Sequence, residues 1–325
     1  MNARPRPVKP RPDLGGLYMQ ARLKLREIAK ILNRDKILAL MFLPFFIYYI
    51  VFSYIPMTGL VIAFKDFRPG NGIYAGPWVG VKWFAEFFQS VYAYRMVRNT
   101  VLISLYSLVY GFPVPILFAV CVTEIKFLRV RRFVQTASYL PHFISVVVLV
   151  GMINNLFSMN NGIINNVILK LGGKPINFLM DPSWFRTLYI GSGIWQGFGF
   201  SSILYIAAIT GIDPNLYEAA KIDGITRFKQ AYHITIPMIL PTIIILFIMQ
   251  LGRIMSIGFE KIFLMGSTTT AEVSSVIPTF VYNRGIGNSE FSFATAVGFF
   301  NSVINFVFVY ASNRICRALT NTSLW

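Results

Sequence analysis

The sequence predicts an all-α polytopic membrane protein with six transmembrane helices and both termini in the cytoplasm. Three observations carry this reading. Six windows contain no Asp, Glu, Lys or Arg: Leu38–Phe64, Asn99–Val122, Phe133–Phe157, Thr187–Thr210, Pro237–Gly252 and Phe291–Ser312. Each reaches or approaches the ~20 residues that cross a hydrocarbon core of about 30 Å, and only helices satisfy the backbone there within one segment. The composition agrees, with 55% hydrophobic and 13% charged residues and a mean hydropathy of +0.58, where soluble domains carry about 25% charged residues. Finally, segments 1–37, 123–132, 211–236 and 313–325 hold 19 Lys and Arg, against 11 in segments 65–98, 158–186 and 253–290. Cytoplasmic loops carry such an excess.

Taken in order, residues 1–36 form a basic cytoplasmic N-terminal tail and residues 37–325 a transmembrane domain with a cytoplasmic loop at 211–237. The opening "MNARPRPVKPRP" lacks the apolar region of a signal peptide and reads as extended or disordered. Leu17, Ala21, Leu25, Ile28 and Leu32 then recur at helical spacing, with Arg22, Lys24, Arg26 and Lys30 on the remaining face. That is a basic amphipathic helix, resting either on anionic lipid or on the protein itself. After the first span, "PWVGVKWFAEFFQSVYAY" (Pro77–Tyr94) reads as an interfacial segment with Trp78, Trp83, Phe84, Phe87 and Phe88 at headgroup level. Met159–Trp184 contains a short apolar helix between Asn/Gly-rich turns and caps the external mouth of the bundle. The end of the fifth span is the least sharply marked, since Arg253, Glu260 and Lys261 interrupt the apolar run beyond Gly252.

Several function classes are excluded or disfavoured. The formal charge of +17 is mostly a topology signal, and no basic, aromatic-interleaved soluble module exists for nucleic acid. Cys121 and Cys316 stand far apart in apolar contexts, with no disulfide framework or metal site in view. His142 and His233 have no partner in a recognisable catalytic arrangement, so no catalytic residue is assigned. No phosphate-binding GxxxxGK[ST] loop is present, so the chain does not hydrolyse ATP alone. The six windows also lack an acid that could bind a driving ion, which argues against an ion-coupled transporter.

Between the fourth and fifth windows lies "IDPNLYEAAKIDGITRFKQAYHITIP" (Ile212–Pro237), too long for a plain connector. Asp213 is an N-cap and Pro214 suits the first helical position. A short helix over Leu216–Asp223 ends at Gly224, where a left-handed cap belongs. A second helix resumes at Arg227, and Pro237 opens the fifth span. Ala219 and Ala220 allow another surface to approach. Glu218 and Asp223 offer charge for pairing, and Lys221, Arg227 and Lys229 keep the element out of lipid.

The spacing resembles the EAA loop of bacterial ABC-importer permease subunits, EAA-x3-G-x9-I-x-LP. Here it reads Glu218-Ala219-Ala220, three residues, Gly224, nine residues, Ile234-Thr235-Ile236-Pro237, with Ile236 the one departure. The likeness extends to "SYIPMTGLVIAFKDF" (Ser53–Phe67), "PHFISVVVLVGMI" (Pro141–Ile153), "DPSWFR" (Asp181–Arg186), "GIWQGFGFSSILYIAAITGIDPNLYEAA" (Gly193–Ala220), "GRIMSIGFEKIFLM" (Gly252–Met265), "FSFATAVGFFNSVINF" (Phe291–Phe306) and the terminal "TSLW". From about residue 35 onward the chain is similar to carbohydrate-importer permeases of the lipoprotein-transport, or polysaccharide, type. These include the larger maltose permease and, within the group, permeases of alginate-oligosaccharide importers.

The resemblance implies the type I ABC importer permease fold and a multi-pass place in the bacterial inner membrane. It implies a second homologous permease subunit, two ATP-binding cassette subunits carrying ATP and Mg, an extracytoplasmic solute-binding protein and an oligosaccharide substrate. No cofactor is expected on this chain itself. Glu218, Ala219, Ala220, Asp223, Gly224, Ile234 and Pro237 then form the ATPase-coupling element. Candidates for a sugar path are Trp195, Gln196, Gln250, Asn301 and Asn305, although polar helix–helix packing accounts for each equally well. The glycines of "GSGIWQGFGF" (Gly191–Phe200) are expected to serve close helix packing. An ABC permease for another solute, or an ion-coupled secondary transporter, remains the alternative.

Overall fold

A computed structural model describes residues 34–254 and 257–320. The amphipathic pattern over Leu17–Leu32 and the terminal "TSLW" lie outside them. The chain divides into two compact units, Met1–Leu60 and Val61–Trp325.

The first unit contributes α1 (Lys36–Tyr49), which widens into a π-helical turn at Ile50–Tyr54. Pro56 explains the widening. Proline has no N–H to donate and its ring crowds the carbonyl four residues back, so the ladder loosens just before it.

Among the described residues, the regular structure of the second unit is helical. Its helices are α2 (Lys82–Gln89), α3 (Val91–Gly111), α4 (Pro113–Thr123), α5 (Leu128–Tyr139), α6 (Val146–Phe157), α7 (Ile163–Lys170) and α8 (Pro182–Thr210). Then come α9 (Pro214–Ile222), α10 (Arg227–Gln230), α11 (Ile236–Leu251), α12 (Phe259–Met265), α13 (Ala271–Ser274), α14 (Ile277–Tyr282) and α15 (Phe291–Thr320). Among the described residues the extended pairing is one isolated bridge, Lys65 to Trp78.

Among the described residues, five stretches are long and apolar enough to cross a membrane: Lys36–Phe64, Val91–Thr123, Pro182–Thr210, Arg227–Leu251 and Phe291–Ile315. The third predicted window behaves differently. Leu128–Phe143 and Val146–Phe157 meet at 99°, so the count is six when this bent pair is one span. The break has a local cause. Pro141 ends the first arm in a 3₁₀ turn, Ile144 and Ser145 are extended, and the Ser145 hydroxyl caps the second arm by accepting from the Val148 N–H at 3.3 Å. The fifth span starts earlier than expected, at Arg227. A π turn at Ala231–Thr235 joins α10 to α11 just before Pro237, repeating the device seen before Pro56.

The interior is organised around α8. One apolar cluster joins α4, α8 and α11 through Ala119, Val122, Tyr205, Ile206 and Ile239. Another joins α3, α8 and α12 through Ile103, Phe185, Tyr189 and Ile262. In lipid, such contacts act through close packing rather than water exclusion, and small residues become important. Gly199 is the clearest case, since a Cβ there would overlap the Ser138 carbonyl of α5. This meets the packing expectation for "GSGIWQGFGF" at Gly199 and, against the Lys261 ammonium, at Gly193; a Cβ at Gly191 or Gly197 would meet open space.

A third cluster corrects the interfacial reading of Pro77–Tyr94. Phe87 is 1% exposed and packs with Met96, Ile277, Phe293 and Val297. Trp83 packs on this cluster and donates its indole N–H to the Lys65 carbonyl at 2.9 Å, while Trp78 and Phe88 stay exposed. The spacing of α2 turns its aromatics toward two sides, so they do not form one interfacial row.

Two buried asparagines tie the connecting loops. The Asn165 amide N donates to the Ser158 and Ile176 carbonyls, and its Oδ1 accepts from the Ile176 N–H at 2.8 Å. Asn99 donates to the Glu272 and Ser275 carbonyls and accepts from Arg186 at 3.1 Å. Both are almost fully buried, where an unmade hydrogen bond costs about 1–3 kcal/mol.

Candidate functional site

The loop after α8 is built by local rules. Asp213 Oδ1 accepts from the Asn215 N–H at 3.0 Å, and Pro214 occupies the first turn, so α9 starts with its donors satisfied. At the other end Gly224 has φ +68. Its N–H reaches the Lys221 carbonyl at 3.1 Å, and the Ile225 N–H reaches the Ala220 carbonyl at 2.9 Å. This pair of bonds is a Schellman cap, which places glycine at the left-handed position. Buried Gln230 donates to the Ile225 carbonyl at 2.9 Å and fixes the turn into α10. Tyr217 and Thr235 share a hydroxyl hydrogen bond of 2.9 Å, joining α9 to the π turn. Arg227 donates to the carbonyl and carboxylate of Glu124, just past α4. Half-exposed ion pairs of this kind contribute roughly 0–1 kcal/mol, so the backbone bonds set the shape.

This arrangement divides the candidate coupling residues. Ala220 is buried and Ile234 partly buried, so they face the protein's own interior. Glu218, Ala219, Asp223, Gly224 and Pro237 are exposed or partly exposed. The apolar side chains of Ile222 and Phe228 are exposed too, at 87% and 83%. The loop therefore presents a mixed outer surface on which Ile222 and Phe228 stand among Glu218 and Asp223 and the cations Lys221, Arg227 and Lys229. His233 Nδ1 lies 3.0 Å from the Lys229 carbonyl, a local structural contact.

The second feature is a cavity of about 1140 Å³ inside the second unit. Its wall is drawn from α3, α4, α6, α8, α11 and α12, including Ser107, Tyr189, Gln196, Ser201, Tyr205, Gln250, Phe259 and Lys261. A smaller cavity of about 200 Å³ shares Ser107, Tyr189, Gln250 and Gly258 and adds Arg253. The wall is mostly apolar, with Ile190, Ile194, Ile203, Leu204 and Leu246 in it, and a few hydroxyl and amide groups are set among these side chains, the usual make-up of a small-molecule site.

Two of the five path candidates line this cavity, Gln196 and Gln250. Gln196 also donates its amide to the Ile144 carbonyl at 2.8 Å, pinning the break between α5 and α6. Trp195 is 43% exposed and is not part of the cavity wall. Asn301 and Asn305 sit on α15 and are not in the lining.

Sequence reasoning passed over Lys261. It is 8% exposed, donates to the Tyr189 carbonyl at 2.7 Å and sits 4.7 Å from the Tyr189 ring centre. Burial lowers its pKa to about 8. In the sequence it stands only as an interruption after the fifth window. A buried lysine on a cavity wall is a candidate functional group.

A profile of the family described as "Binding-protein-dependent transport system inner membrane component" matches residues 111–320. The chain belongs to this family. It is thus an inner-membrane permease of an ABC importer. Among similar proteins of Bacillus subtilis, the polygalacturonan/rhamnogalacturonan transport system permease YteP is 40% identical over 306 residues, covering 94% of this chain and 95% of YteP. Protein LplB is 37% identical over 294 residues, covering 90% and 92% of the two chains. A chain from the crystal structure of a bacterial alginate ABC transporter, in complex with an alginate pentasaccharide-bound periplasmic protein, superposes with a TM-score of 0.84. It is 41% identical, over 91% of this permease and 99% of that chain. The type I permease fold expected from the sequence agrees with this superposition.

Proposed function

We propose that this permease imports oligosaccharides, taking sugar from an extracytoplasmic solute-binding protein and releasing it into the cytoplasm by alternating access. The single observation that carries the substrate class is the 40–41% identity, over more than nine-tenths of the chain, to permeases of saccharide importers. The cavity, mostly apolar and aromatic with a few hydroxyl and amide groups, is consistent with it. A second homologous permease completes the pathway, and two ATP-binding cassette subunits bind ATP and Mg. The chain itself is a transport subunit and not an enzyme. Both termini are cytoplasmic, as the Lys/Arg asymmetry indicates.

The loop 211–237 is the coupling element in this reading. Its exposed face, with Glu218, Ala219 and Asp223, seats in an ATPase subunit, and Ala220, Gly224, Ile234 and Pro237 hold its shape. Nucleotide can shift the inward–outward equilibrium only through contacts that differ between the two states. A full inversion of the population takes about 5.5 kcal/mol of differential binding. A rigid loop transmits such a contact without dissipating it in its own rearrangement.

The test is reconstitution of the assembled importer in proteoliposomes with its binding protein. Uptake of a radiolabelled oligosaccharide should require internal ATP and persist when proton and sodium gradients are collapsed. Uptake that follows an ion gradient and ignores ATP would contradict the proposal.

A further inference from the structure

Burying a cation is costly unless it is paired or assigned a task. Lys261 is buried in the cavity wall and, among the described residues, forms no ion pair. One of its three N–H bonds goes to the Tyr189 carbonyl, and the Tyr189 ring supports its charge from one side. Gly193, on the facing turn of α8, leaves the ammonium its space, since a Cβ there would stand 3.1 Å from Nζ. Arg253 lines the adjoining cavity, so two cations border the combined space. Glu260 also lines the main cavity but is exposed, and Tyr189 and Tyr205 are the other titratable groups there. Lys261 is therefore a fixed, desolvated cation, whereas Arg253 and Glu260 are both exposed.

We propose that Lys261 is a specificity residue that reads a carboxylate of a uronate-containing oligosaccharide during its passage through the cavity. The proposal rests on the oligosaccharide reading above and narrows it to acidic sugars. A neutral sugar would satisfy the two remaining N–H bonds only with hydroxyl groups and leave the charge without a counter-ion. A uronate carboxylate offers a charge-assisted bond, the stronger kind. The ring faces nearby accept the apolar side of the same sugar unit. Lys261 retains most of its charge at neutral pH despite its lowered pKa.

The experiment measures direct binding to the purified, assembled permease–ATPase complex without the binding protein, which removes that protein's own selectivity. The probes are a galacturonate or guluronate trisaccharide and its carboxyl-reduced, neutral counterpart. Lys261→Met should weaken uronate binding about 10- to 100-fold, the range for a hydrogen bond to a charged group, and change neutral binding by less than about twofold. Lys261→Arg should keep most of the uronate preference, which a merely structural role would not require. Wild-type uronate affinity should fall between pH 7 and pH 9, and that of Lys261→Arg should stay flat. An unchanged uronate preference in Lys261→Met, or an equal loss for both probes, overturns the proposal alone. A wild-type complex that neither binds nor imports either probe overturns the oligosaccharide reading, and this inference with it.

Discussion

The loop at 211–237 and the cavity beside α8 are assembled in different ways. Apart from Arg227 on Glu124, the loop's shape-setting hydrogen bonds join residues no more than 18 positions apart: Asp213 to Asn215, Ala220 to Ile225, Ile225 to Gln230, Tyr217 to Thr235. The cavity takes its wall from residues scattered between Ser107 and Lys261. The first is held by caps and turns and presents an outer surface. The second is held by helix packing and lines a hollow that is open on one side. A change in the loop should therefore disturb communication, and a change beside the cavity should disturb stability or substrate choice.

The largest expected effect lies in the loop. Glu218→Lys combined with Ala219→Asp alters two exposed positions without touching the spans. ATP-driven uptake should fall about 5- to 150-fold, the usual span of a coupling free energy, with membrane abundance and sugar binding unchanged. Equal losses of uptake and binding would erase the distinction between the regions. Gly224→Pro should act similarly, because its ring locks φ near −65° where the chain holds +68°.

Gly199→Ala tests the other region. Its Cβ would overlap the Ser138 carbonyl, and overpacking of this kind costs about 1–3 kcal/mol. The melting temperature of the detergent-purified complex should drop, whereas Gly197→Ala, which meets open space, should leave it nearly unchanged. Equal melting temperatures for the two variants would contradict the packing account of α8.

The smallest expected effect is Asp213→Ala, which removes the α9 cap. It should cost about 1 kcal/mol, read as faster amide exchange confined to residues 215–222. Exchange that quickens throughout the bundle would show that the loop is not a local unit.

The same contrast explains how much is legible in the sequence. The loop is readable because its determinants are neighbours in the chain. Asp213, Pro214 and Gly224 each announce a backbone role, and the structure places them in those roles. The apolar windows are readable because lipid demands uninterrupted length, although the bend at Pro141–Ser145 is hidden inside the third. The cavity is not readable to the same degree. Trp195, Gln196, Gln250, Asn301 and Asn305 stand out as polar or aromatic groups within spans, but the spacing of one helix does not say which neighbour it faces. Only Gln196 and Gln250 reach the wall. Phe87 is misplaced by the sequence for the same reason, since an aromatic on a short amphipathic helix serves equally well in a core or at an interface. Lys261 comes after a broken span and reads only as the sign of its end.

The central claim is that partner ATPases drive sugar movement through this permease by way of the 211–237 loop. The most direct measurement tracks ATP hydrolysis and oligosaccharide uptake together in proteoliposomes holding the assembled importer and its binding protein, with wild type and the Glu218→Lys/Ala219→Asp variant side by side. The account predicts sugar-stimulated hydrolysis matched by uptake in the wild type, and loss of both stimulation and uptake in the variant at equal membrane abundance. Uptake by the variant at the wild-type rate would contradict it.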